Sequence, residues 1–112
     1  MDVVKNEKYG ILYESMALSK EFQALTPTAK LFLVLCTMQY NRTNIYKGDK
    51  KGIFTFPKKR MEQYGYDSRN GRRYLKELLD NGFIEVVEKN FFKENIYEFS
   101  EKWKNNNIVV KT

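Results

Sequence analysis

Apolar positions along the chain change their spacing several times, and each change marks an element. Ala17, Leu18, Phe22 and Leu25 recur at helical spacing, which predicts a short amphipathic helix over 17–25. Thr26-Pro27 is a start signal, with Thr as N-cap and Pro at the first helical position. The segment it opens, 28–40, holds Ala29, Leu31, Phe32, Leu33, Val34, Leu35, Cys36, Met38 and Tyr40. A helix apolar nearly all round belongs at the centre of the core.

Residues 41–51 are polar with Gly48-Asp49 and read as a loop. Gly52-Ile53-Phe54-Thr55-Phe56 is a strand signal stopped by Pro57. From there 58–64 reads as a helix of about two turns closed by Gly65. Asp67 is an N-cap for a second helix running to Asn81, with Gly82 as terminator. Gly71, Tyr74, Leu75, Leu78 and Leu79 share one face of that helix, and Ser68, Arg69, Arg72, Arg73 and Lys76 fall largely on the other. Two β-rich runs, 83–88 and 92–100, flank a polar turn at Lys89-Asn90 and predict a hairpin. The division is an N-terminal arm over 1–14, extended at Gly10 to Tyr13, a domain over 15–104 and a polar tail over 105–112. Lys102 to Asn107 reads as polar chain held by one anchor, Trp103, a lid over the hairpin.

Composition narrows the chemistry. The chain has 112 residues, enough for one core. With no histidine and a single cysteine, Cys36, it offers no imidazole base, no Cys/His zinc site and no internal disulfide. Its acidic residues are scattered singly, without the spacing of paired catalytic carboxylates. The expectation is therefore a protein that is not an enzyme, needs no cofactor and binds no metal. No apolar stretch of signal-peptide length follows Met1, and the longest nearly apolar run, Leu31 to Met38, is far short of the about 20 residues of a membrane span. The reading is a cytoplasmic protein with no membrane partner.

The formal net charge is +6, and it is localised. Residues 1–40 and 83–112 are each neutral, whereas 41–82 carry eleven bases against five acids. Such a footprint is that of a polyanion binder, with a solvated basic surface as the plainer reading.

The predicted order is strand, helix, turn, helix, hairpin, and two stretches carry a family likeness. Residues 17–33, from Ala17-Leu18-Ser19-Lys20 through Leu25-Thr26-Pro27-Thr28 to Leu31-Phe32-Leu33, resemble the opening of winged-helix proteins of plasmids, phages and conjugative elements. Residues 67–84, with Arg69, Arg73, Leu75-Lys76-Glu77-Leu78 and Asn81-Gly82-Phe83-Ile84, are similar to that family's recognition helix and first wing strand. The likeness spans roughly 12–104. The chain departs from the pattern at Gly71 and Tyr74, where the family carries a β-branched residue or alanine. Gly71 alone costs a helix about 1 kcal/mol relative to alanine.

The resemblance implies an α+β fold, a single winged helix-turn-helix domain, mostly helical with a short strand and a C-terminal β-hairpin wing. It further implies sequence-specific binding of double-stranded DNA by a protein encoded on a mobile element, an accessory factor at a plasmid or conjugative origin of replication or transfer. Transcriptional regulation, a winged-helix protein-interaction module and RNA binding are the rivals. A replication or transfer complex is the expected protein partner, and a homodimer stays open.

In this reading Arg69, Arg72 and Arg73 offer bidentate bonds to guanine and Asn70 to adenine, since the major groove admits a helix. Ser68 is placed for a backbone phosphate, and Lys58, Lys59, Arg60 and Lys76 suit phosphates, which position without specifying. Lys89, Asn90, Lys93 and Asn95 at the hairpin turn are candidates for a minor groove. Phe91 and Phe92 read as folding back onto the core, with a wedge between bases or a partner contact as the other readings.

Overall fold

A computed structural model describes residues 9–43, 53–90 and 94–105. The elements in chain order are α1 (Glu14–Ala17), α2 (Lys20–Gln23), α3 (Pro27–Thr43), β1 (Ile53–Thr55), α4 (Lys58–Gln63), α5 (Ser68–Asp80), β2 (Ile84–Glu88), β3 (Ile96–Phe99) and α6 (Lys102–Asn105). The fold is α+β, with a three-stranded antiparallel sheet in the order β1-β3-β2. Among the described residues no helix is long and apolar enough to cross a membrane.

The core is largely aromatic. Phe32 of α3 stacks on Phe56 at 4.7 Å and meets Tyr66 and Tyr74 at 5.2 and 5.7 Å. Phe54 of β1 stacks on Phe99 at 4.7 Å and on Tyr97 at 5.5 Å, tying the sheet to the same centre. Phe32, Phe54, Phe56 and Tyr97, with Leu33, Cys36, Leu75, Leu78 and Ile84, are buried in one cluster, and Tyr66, Tyr74 and Phe99 pack half-buried against it, while Leu31 of the expected all-buried helix is exposed.

Both α4 and α5 stop in the same way. Gly65 (φ 93°) and Gly82 (φ 83°) take the left-handed conformation, which costs glycine nothing. Tyr66 N–H then reaches Met61 O at 2.9 Å and Phe83 N–H reaches Leu78 O at 3.0 Å, while Gly65 and Gly82 bond to Glu62 O and Leu79 O. This paired arrangement satisfies the last carbonyls of each helix.

Several expectations need correction. The segment 17–25 is two turns, not one helix. Ser19 breaks it, its hydroxyl donating to Met16 O at 2.7 Å while accepting from Phe22 N–H at 3.1 Å, so it closes α1 and caps α2. The central helix runs on to Thr43, into the segment expected as loop; residues 44–52 lie outside the description. Gly10 to Tyr13 stay outside any helix as expected, with Tyr13 in extended backbone. The arm lies on α3, with Ile11 N–H donating to Thr37 Oγ1 at 2.9 Å. The expected polar tail begins with a helical turn, α6, whose Trp103 is buried and stacks on Phe83 at 6.0 Å. Trp103 therefore covers the start of β2, where Ser100 N–H also pairs with Phe83 O at 2.9 Å.

Candidate nucleic-acid interface

The helix α5 has two distinct sides. Gly71, Leu75 and Leu78 are buried, and Arg69, Arg72, Arg73 and Lys76 are exposed. Their spacing of i, i+3, i+4 and i+7 places the four cations on one stripe. Asp67 caps the helix, its carboxylate accepting from Asn70 N–H at 2.9 Å.

Gly71 explains how α5 comes so close to α4. A Cβ at this position would run into Met61 Sδ, with Met61 Cγ and Cε at 3.2 Å. The glycine that weakens the helix is therefore the contact point of the two helices. Tyr74, the other departure, sits between Tyr66 at 5.9 Å and Phe32 at 5.7 Å in the aromatic core.

A second clamp holds α5 against the start of α3. Glu77 accepts from Thr26 N–H at 2.8 Å and from Thr26 Oγ1–H at 2.9 Å, while Thr26 Oγ1 accepts from Ala29 N–H at 3.3 Å. A capping box takes its carboxylate from the third helical residue. Here that residue is Ala29, and α5 supplies the carboxylate from 51 positions along the chain. The basic stripe is thus borne on a helix fixed at both the α3 and α4 contacts.

The candidate side chains differ in what they already hold. Lys76 pairs with Asp80 at 3.0 Å, both highly exposed, a contact water and salt weaken. Arg73 lies over the Tyr74 ring at 5.7 Å. Burial pushes the Tyr97 phenol of β3 up, opposed by its hydrogen bond with Asn95 and, more weakly, by the charge of Arg72. Asn70 is turned toward the cap, its amide reaching Asp67 Oδ2 at 3.4 Å, and Ser68 is half-buried at the first turn. Lys58 and Lys59 are exposed at the start of α4. Arg60 donates to Gln63 Oε1 and lies over the Tyr64 ring at 5.7 Å.

At the hairpin, Lys89 is exposed. Asn90 and Asn95 bond across the loop base: Asn90 N–H donates to Asn95 Oδ1 at 2.9 Å, and Asn90 Nδ2–H to Glu94 O at 3.2 Å. These amides brace the loop. Lys93, with Phe91 and Phe92, lies outside the described residues. The strands themselves are acidic. Glu85 and Glu98 are cross-strand partners, and Glu85 draws Lys102 to 3.2 Å and the Ser100 hydroxyl to 3.0 Å. Over 83–100 the sequence has four Glu against two Lys.

Sequence reasoning missed Glu77 and Met61, which hold α5 in place. Glu77 left a trace, one of two acids in a helix with four bases, but its partner is too distant in sequence to be inferred. Among the described residues no group of three or more metal-ligating side chains comes together. No family model, curated protein or solved structure matches the chain.

Proposed function

We propose that the chain is a winged helix-turn-helix protein that binds double-stranded DNA with its exposed α5 stripe in the major groove. One observation carries this reading: Arg69, Arg72, Arg73 and Lys76 share the outward side of a helix whose other side is locked into the core. A rigid helix with Arg at its N-terminal half matches what base-edge readout needs, because bidentate Arg–guanine bonds demand fixed geometry. In this reading the exposed Lys58 and Lys59 contact phosphates and set register. The acidic strands of the hairpin argue for α5 as the main reader, since carboxylates approaching phosphate are repelled. Lys89, just past the end of β2, makes a supporting contact. The likeness to proteins of mobile elements points to an accessory role at a plasmid or conjugative origin, with any chemistry left to partners.

The reading is tested by fluorescence anisotropy on duplex, single-stranded DNA and RNA stem-loops of equal length. Arg69→Ala with Arg73→Ala should raise the duplex Kd at least about tenfold, as two lost contacts of 1–3 kcal/mol each imply, with no loss of thermal stability because both side chains are exposed. Unchanged duplex affinity, or tighter binding of single strands or RNA, would overturn it.

A further inference from the structure

The arm, the first turns and α3 expose a group of large apolar side chains. Tyr9, Ile11, Leu12, Tyr13 and Leu18 of the arm and first turns, with Leu31 of α3, are each 40–67% exposed. The placement of the arm residues among them follows from how the arm lies on α3. A Cβ at Gly10 would stand 2.6 Å from Val34 Cγ1 and 2.9 Å from Val34 O, so the backbone itself rests on the helix there. Thr37 Oγ1 holds Ile11 N–H beside it. Val34 follows Phe32 by two residues and points about 200° around the helix from it. Phe32 faces Tyr74 of α5, so the arm covers the opposite side of α3. Leu31 is one turn before Val34 on that same side.

We infer that this face is the contact between two copies of the chain. Three features favour a second copy as the occupant. The first is extent: at about 150–250 Å² for a large side chain, six half-exposed residues offer on the order of 600 Å², approaching the about 800 Å² per partner of a standard interface. That is the upper end of the largest apolar patch on a typical monomer, a size at which such patches are often functional. The second is charge. Residues 9–40 carry Glu14 and Glu21 against Lys20 and Lys30, net zero, whereas the chain as a whole is +6. Copies meeting here avoid the repulsion they would meet through the basic face. The third is symmetry: an isologous contact sets one patch against its own copy, and an apolar patch is complementary to itself. The resulting dimer leaves both α5 stripes uncovered on its two outer sides. This inference does not depend on what α5 binds.

Sedimentation equilibrium of the full chain, from about 1 to 200 µM, reads the association directly. The expected result is a monomer–dimer equilibrium in this range, with Leu18→Glu and Leu31→Glu together weakening it at least about tenfold. Both residues are exposed, so the thermal melt should be retained. Val86→Glu, at the exposed apolar position on β2, should leave the equilibrium unchanged. A monomer at every concentration would overturn the inference. So would a dimer indifferent to the paired substitution, or one dissolved by Val86→Glu instead.

Discussion

Gly71 stands in a helix interior, where alanine would be better by about 1 kcal/mol, yet a methyl group there meets the Met61 side chain. Overpacking of this kind costs about 1–3 kcal/mol. Gly71→Ala should therefore destabilise the protein by up to about 2 kcal/mol. In a Met61→Ala background the same substitution should stabilise it by about 1 kcal/mol, the helix preference alone remaining. Urea midpoints of the four proteins check the change of sign. Cys36 supplies a second residue-scale prediction. Burial pushes its thiol well above the usual range. The unfolded chain then loses this proton first as pH rises past about 8.5, so stability falls by up to about 1.4 kcal/mol per pH unit. Below that pH the contribution is fully present. Tyr66 and Tyr97, also pushed up by burial, add their own loss at higher pH. In Cys36→Ala, stability should be flat between about pH 8.5 and 10 and fall only beyond it. An unaltered slope in that window would show that the thiol is not the group responsible.

At the scale of elements, the joint between α3 and α5 rests on one carboxylate. Glu77→Ala removes two bonds to the Thr26 cap and should cost about 1–2 kcal/mol, measured by chemical denaturation, with Glu77→Gln losing less because its amide oxygen still accepts one bond. Local signals made most elements legible in the sequence. Pro27 and Thr26 open α3, Asp67 opens α5, and Gly65 and Gly82 end α4 and α5 as their residue types predict. Where reasoning from local pattern failed, a specific competing bond won. Ser19 can serve the carbonyl before it and the amide after it, and so divides what apolar spacing joins. Trp103 turns a polar stretch into α6 because its ring has a stacking partner in Phe83, twenty residues earlier. The candidate site was half legible. Cations at i, i+3, i+4 and i+7 are a sequence pattern, whereas Asn90 and Asn95 bracing each other, and Asn70 bending to Asp67, are settled only by the folded chain.

The whole molecule is arranged with unlike sides. Cations line the outside of α5, acids line the hairpin strands, and a neutral apolar face lies behind α3. If Lys58, Lys59, Lys89 and the three arginines each engage or approach a phosphate, log affinity should fall with log salt at a slope of about −5. Arg72→Ala with Arg73→Ala should relax sequence preference, and Lys89→Ala with Lys93→Ala should weaken binding to all duplexes without changing the preferred one. A larger loss of preference in the hairpin pair would make the hairpin the reader. The most direct test of the central claim is selection of bound duplexes from a random-sequence pool at near-physiological salt. An enriched motif that is lost in the Arg72→Ala, Arg73→Ala protein is the result expected of a helix reading base edges. A pool that stays random, with binding that fades as salt is raised, would contradict it and leave only the attraction of a basic surface for a polyanion.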